Sequence, residues 1–198
     1  MTAVIRLATP ADAAGVQAIY APIVRDTAIS FELEPPTVAE MQQRIVETLE
    51  HLPWLVCEQH LDILGYVYAS RHRARPAYQW SVDVSVYVHP NARRMGVGQA
   101  LYRSLFAILA LQGFCQAYAG ITLPNPASVG LHESLGFQPV GVYRAVGYKL
   151  GAWHDVGWWQ LSLRERVIPP RPPLALSVVH TSPAWNAALA TGAPILKR

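Results

Sequence analysis

The sequence predicts an α+β protein with helices packed on a mixed sheet, and three observations predict it. Ser81 to Val88 alternates with period two, setting Val82, Val84, Val86 and Val88 on one face and Asp83, Ser85 and Tyr87 on the other. Val97 to Gln112 instead repeats Val97, Leu101, Leu105, Ile108 and Leu109 at helical spacing. Further strand-like and helix-like runs flank this pair on both sides, in a chain whose 198 residues suit one well-buried core better than two.

Each element follows from local signals. Ala3 to Leu7 reads as a short strand, and Thr9-Pro10-Ala11-Asp12 opens a helix to about Asp26 with an N-cap, a proline at the first helical position and an acidic first turn. Thr37 to Leu52 carries Val38, Met41, Ile45 and Leu49 at helical spacing, and Pro53 ends it. Trp54 to Glu58, Ile63 to Ser70 and Gln79 to Val88 then predict an antiparallel meander. Gly113 marks the end of the Val97 helix, Gln116 to Thr122 is a strand, and Asn125-Pro126 caps a short helix that Gly136 stops. Phe137 to Val146 and Gly151 to Leu163 are the last strands. Pro169-Pro170-Arg171-Pro172-Pro173 can continue neither helix nor central strand, so residues 168–198 are expected as an extended, surface-draped arm. Leu174, Leu176, Val178, Val179 and Trp185 make that arm apolar enough to cover the body or a neighbouring subunit.

Composition excludes several function classes. With 52% apolar and only 15% charged residues the chain is not disordered, and its net charge of +3 is spread as arginines without a basic, aromatic-laced stripe, so no nucleic-acid partner is expected. The seven histidines show no metal-ligand spacing, so no metal is expected. Cys57 and Cys115 are isolated thiols, no window is long enough to span a bilayer, and the start lacks a leader pattern; a cytoplasmic protein without membrane contact is the expectation.

The chemistry concentrates at the joint between the alternating strand and the helix. Arg93-Arg94-Met95-Gly96-Val97-Gly98 leaves helix N–H groups without partners beside two guanidinium side chains, a natural site for a phosphorylated ligand. Downstream, Asn125, Ser128 and His132 are spaced three and four apart and so share one face of the short helix. Arg71, His72, Arg73 and Arg75 cluster just before the Asp83 strand, beside Tyr78 and Trp80. His154-Asp155 is not a dyad, because neighbours on a strand point to opposite faces.

Arg93 to Gly98 resembles the acyl-coenzyme A pyrophosphate loop of the GNAT acetyltransferases, and Asn125 to Phe137 resembles the second signature helix of that superfamily. Gly120 to Asn125, Leu131-His132-Glu133, Val146 to Lys149 and Trp153 to Trp158 resemble, more narrowly, the phosphinothricin and methionine-sulfone N-acetyltransferase group. The likeness spans roughly Val4 to Arg164. It implies a GNAT-like fold with a mostly antiparallel, splayed sheet, an acetyltransferase domain over residues 1–167 and an extension over 168–198. It also implies acetyl-CoA as co-substrate, a small amino-acid-like amine as acceptor, and a homodimer.

Residue roles follow from the same likeness. Arg93, Arg94, Met95, Gly96, Val97, Gly98 and Gln99 would hold the pyrophosphate. A bulge would splay the preceding strand so that Val86, Tyr87 and Val88 line the pantetheine arm, with the Val88 N–H as oxyanion donor. Asn125 and Ser128 would meet the carrier, and His132 would exchange a proton where many relatives use tyrosine. Asp83 stands where the resembling enzymes have a glutamate base; one methylene shorter, it favours a bridging water. Arg73 or Arg75, with Tyr78, would bind the acceptor's anion, and Phe31 and Glu32 would cover the site, with Tyr148, Trp153 and Trp158 as possible walls or core. Three alternatives stay open on sequence: a different amine such as a polyamine, aminoglycoside or protein N-terminus; a module that binds acyl-CoA without turnover; and purely structural roles for Asp83, His132 and the basic turn.

Overall fold

The computed structural model describes residues 3–196. Seven strands form one sheet: β1 (Val4–Leu7), β2 (Trp54–Gln59), β3 (Asp62–Arg71), β4 (Ser81–Val88), β5 (Gln116–Leu123), β6 (Gln138–Lys149) and β7 (Ala152–Ser162). Their spatial order is β1-β2-β3-β4-β5-β7-β6. Every neighbouring pair is antiparallel except β4 and β5. That parallel pair is joined only over Ser81↔Gln116, Val82↔Ala117 and Asp83↔Tyr118. Beyond Asp83 the two strands part, and the sheet opens as a wedge.

The expected bulge does not cause the splay. β3 and β4 keep one unbroken register from Gly65↔Val88 to Arg71↔Val82, so β4 stays regular against β3 and simply loses its partner on the other side. The sheet's register shifts lie elsewhere, in the β2–β3 and β6–β7 pairs.

Among the described residues six α-helices cover the sheet: α1 (Ala13–Asp26), α2 (Val38–Leu49), α3 (Val97–Gln112), α4 (Pro126–Ser134), α5 (Leu176–His180) and α6 (Trp185–Ala190). Val16, Ile19, Tyr20 and Val24 of α1 pack with Met41 and Ile45 of α2 on Trp54, Val56 and Tyr66. Leu101, Leu105, Ile108 and Leu109 of α3 are fully buried on the opposite face, against Leu55, Val67, Val82 and Ala117. Each such side chain stabilises the fold by about 1.5–3 kcal/mol. Gly113 ends α3 at φ 101°, its N–H donating to the carbonyls of Leu109 and Ala110. Thr37 caps α2 through a reciprocal pair with Glu40. At the start of α1 the expected cap forms on a 3-10 turn, Pro10–Asp12, with Thr9 as N-cap and Asp12 in the first turn. The Asp12 carboxylate accepts from the Thr9 N–H and hydroxyl while holding Arg6, and Arg6 also grips Glu58 on β2.

The C-terminal segment departs most from expectation. Instead of an extended arm, residues beyond the proline run form α5, α6 and a 3-10 turn at Ala193–Ile195, and Leu176, Val179, Trp185 and Ala188 are buried in the same cluster as α3. Two buried polar groups of α3 pin the segment. Ser104 donates to the Leu189 carbonyl at 2.6 Å and accepts from the Gly192 N–H, while Gln112 donates to the Leu174 carbonyl.

Candidate active site

The joint between β4 and α3 is built for an anion. Arg94 at φ 64° and Gly96 at φ 81° are both left-handed, the kind of backbone that turns successive N–H groups into one concavity. The first α3 carbonyl to be used is that of Gly96, which takes the Ala100 N–H. The N–H groups of Val97, Gly98 and Gln99 precede it and have no intrahelical acceptor. Arg93 and Arg94 are exposed beside them. This donor set fits a diphosphate.

The two glycines are demanded by protein neighbours as much as by any ligand. A Cβ at Gly96 would lie 2.6 Å from the carbonyl oxygen of Ile195 in the C-terminal segment. One at Gly98 would meet Leu131 of α4 at 3.3 Å and Val88 of β4 at 3.4 Å. Glycine therefore lets the first turn of α3 sit tight against both walls of the wedge.

The wedge itself is lined by Val84, Ser85, Val86 and Tyr87 of β4, Ala119 to Thr122 of β5, and Tyr102, Asn125, Ser128 and His132. Asn125 caps α4, its Oδ1 accepting from the Ser128 N–H at 3.2 Å, which leaves the Nδ2 end to meet a ligand. His132 is 3% exposed. Its Nδ1 lies 2.7 Å from the Ser128 carbonyl, which can only accept, so Nδ1 carries the proton. Nε2 lies 2.9 Å from the Tyr102 hydroxyl and in the neutral ring must be its acceptor. Burial lowers the His132 pKa, against the opposing pull of the Ser128 hydrogen bond, and burial raises that of Tyr102. The neutral ring therefore accepts the O–H of a phenol that lines the wedge from α3.

On the far side of the Asp83–Tyr118 pair a second group of residues meets. Asp83 Oδ1 is 2.6 Å from His72 Nδ1. The imidazole stacks on Tyr118 at 4.4 Å and meets Tyr78 and Trp158 edge-on. Burial raises the Asp83 pKa, while the His72 hydrogen bond and Arg73 pull it down. The Arg73 guanidinium lies 5.9 Å over the Trp158 ring, and the Trp158 Nε1–H is buried with no partner among the described residues. Gly120 leaves room for that ring, 3.3 Å from where its own Cβ would be.

The remaining predicted acceptor residues are divided. Arg75 and Tyr78 line, with Arg73 and Arg71, a 440 Å³ hollow that reaches Phe114 and Leu174. Phe31 packs directly on Gly147 of β6, leaving no room for a Cβ there. Glu32 is committed to structure: its carboxylate takes both Arg44 nitrogens and the Tyr20 hydroxyl. Lys149, the end of β6, donates to the carbonyls of Val24 and Ser30 and so fastens the loop that carries Phe31 and Glu32. Tyr148 and Trp153 are exposed, at 58% and 66%, and pack on each other at the β6–β7 turn.

Two residues of the site were not singled out by sequence. Tyr102 sits one turn after Gly98 on α3, and that spacing alone places it over the same wall of the wedge. His72 belongs to the basic turn, yet Ser70 pairs with Asp83, and two residues further on the same face brings His72 diagonally to the carboxylate.

Comparison with known proteins agrees with this geometry. Residues 5–158 match the family model described as an acetyltransferase (GNAT) domain. The chain is 42% identical over 168 residues to phosphinothricin N-acetyltransferase of Streptomyces viridochromogenes, covering 85% of this chain and 91% of that protein. It is 33% identical over 176 residues to L-methionine sulfoximine/L-methionine sulfone acetyltransferase of Salmonella typhimurium, covering 83% and 97%. Among solved structures, a GNAT superfamily phosphinothricin acetyltransferase from Sinorhizobium meliloti in complex with acetyl-CoA superposes with a TM-score of 0.80 at 33% identity, covering 89% of this chain and 99% of that one. A cradle for a diphosphate at the mouth of a splayed sheet defines an acyl-CoA-dependent transferase. The chain belongs to the GNAT acetyltransferase family.

Proposed function

We propose that the protein transfers an acetyl group from acetyl-CoA to the primary amine of a small, anionic, amino-acid-like compound of the phosphinothricin, methionine sulfone or methionine sulfoximine type. The observation that carries this reading is the wedge. The N–H cradle at Gly96 to Gln99, with Arg93 and Arg94, adjoins it where Gly98 meets Val88 and Leu131, one wall holds Asn125, Ser128, His132 and Tyr102, and its apex is the Asp83–Tyr118 pair. Acetyl-CoA supplies the thioester, and the chain's own residues do the rest. The cradle binds the diphosphate, and Val86, Tyr87 and Val88 offer the unpartnered edge of β4 to the pantetheine arm. The Val88 N–H is the oxyanion donor, a contribution of about 3–4 kcal/mol for such a group. The Tyr102 hydroxyl, oriented by His132, gives the departing thiolate its proton. Asp83 stands on the acceptor side.

An anionic acceptor is supported by Arg73, whose guanidinium lies over the Trp158 ring, and by the Trp158 N–H, which has no partner among the described residues. A polycationic acceptor such as an aminoglycoside would want acidic walls, and the Glu32 carboxylate is already neutralised by Arg44. Residues 1–167 carry the catalytic machinery in this reading and 168–198 brace α3. A homodimer fits the outer strand β6, where Val140, Val142, Tyr143 and Val146 are exposed, and the cytoplasm fits two unpaired thiols.

Free-thiol release from acetyl-CoA, followed with a panel of amines, tests the proposal. Release is expected with L-phosphinothricin, methionine sulfone or methionine sulfoximine in preference to polyamines, aminoglycosides and peptide N-termini. The reverse preference would overturn the acceptor class. Thermal protection by acetyl-CoA without thiol release for any amine would make the chain a binding module instead.

A further inference from the structure

The carboxylate at position 83 does not stand alone, and what stands with it changes how a proton can leave the acceptor. Asp83 lies at the last paired position of β4 and β5, where the wedge begins. Its Oδ1 is 2.6 Å from His72 Nδ1. An ionised carboxylate can only accept, so Nδ1 carries the hydrogen and Nε2 is left with its lone pair. Among the described residues no hydrogen-bond partner meets Nε2. The ring is held on three sides: stacked on Tyr118 at 4.4 Å, edge-on to Tyr78 at 5.9 Å and edge-on to Trp158 at 6.2 Å. The neighbouring charged group is Arg73, whose Nη1 donates to the His72 carbonyl and whose guanidinium lies over Trp158. The other titratable groups around the pair are the Tyr78 and Tyr118 phenols. With the His72 side chain 13% exposed and that of Asp83 26%, the pair is sheltered but not sealed from the acceptor side.

We infer that His72 and Asp83 act together as the general base, with Asp83 fixing the tautomer and His72 Nε2 receiving the proton. The aspartate is one methylene shorter than a glutamate, and the imidazole hydrogen-bonded to it places a basic nitrogen on the far side of its ring. The inference rests on the acetyl-transfer reading proposed above. The acceptor ammonium gives one proton to His72 Nε2, and the freed nitrogen lone pair forms the C–N bond to the thioester carbonyl carbon. The C–S bond breaks with its electron pair going to sulfur, which takes the Tyr102 proton, and the second proton leaving nitrogen restores the Tyr102 hydroxyl. His72 then returns its proton to solvent.

The test is a rescue. In His72→Phe the stack on Tyr118 survives but the base is lost, and kcat is expected to fall about 100-fold or more, with acetyl-CoA affinity by calorimetry and KM for acetyl-CoA unchanged. Adding Asp83→Glu to that variant lengthens the carboxylate and is expected to recover at least about a tenth of the wild-type rate, which a merely structural role for His72 would not allow. An undiminished kcat in His72→Phe, or no recovery in a double variant that still binds acetyl-CoA, would overturn the inference. Should the variants fail to fold, nitrogen-15 NMR of histidine in the wild-type chain decides: an Nδ1-protonated His72 supports the dyad, and an Nε2-protonated one overturns it. Wild-type protein that releases thiol with no acceptor would sink the acetyl-transfer reading instead, a result the variants cannot mimic.

Discussion

At the residue scale the site is governed by which hydrogen each imidazole keeps. His132 donates its Nδ1 hydrogen to the Ser128 carbonyl and accepts from the Tyr102 hydroxyl at Nε2, so protonating it would turn Tyr102 from donor to acceptor. Its folded pKa is lowered by burial below the ordinary 6.5. The unfolded chain therefore binds a proton first as pH falls. Stability should be full above about 6.5 and decline below it until the folded pKa is reached, at no more than about 1.4 kcal/mol per pH unit. Thermal melts from about pH 7.5 to 5.5 should show this slope in the wild type and a shallower one in His132→Gln. Equal slopes would mean that His132 is not held neutral. Position 132 was legible in the sequence because its motif is dense. Tyr102 was not, because an aromatic on a helix that buries most of its surface looks like any other core residue.

At the element scale the first turn of α3 is clasped from two sides. β4 and α4 close on Gly98, and the 3-10 turn Ala193–Ile195 closes on Gly96. Gly96→Ala must hold an alanine at φ 81° against the Ile195 carbonyl, and a left-handed alanine alone costs about 1–2 kcal/mol. The melting temperature should drop by about 2–8 °C, and acetyl-CoA should bind more weakly because the N–H cradle is displaced. A variant with unchanged melting and affinity would show that the C-terminal segment does not bear on the loop. The sequence made α3 legible to its last residue, since period and terminal glycine agree. The clasp was hidden for a physical reason. Ser104 and Gln112 look like solvent-facing breaks in an apolar stripe, and only the chain returning 85 residues after the one and 62 after the other turns them into buried anchors.

At the scale of the whole molecule, alternation and periodicity carried the order of the central elements, because each strand with one buried face declares its register locally. The wedge declared itself less directly. It was anticipated as a bulge, but it arises where β5, tied to β7 along its full length, is drawn away from β4 after three pairs. Where the sheet opens, one end presents the cradle and the other the Asp83 group, and the account requires a carrier to enter between them with its diphosphate at Gly96 to Gln99. Calorimetric titration of acetyl-CoA into the full-length chain tests that requirement most directly. Saturable heat with one site per chain is expected, weakened when Arg93 and Arg94 are both replaced by alanine; no heat, or heat indifferent to those two arginines, would contradict a diphosphate held at this cradle.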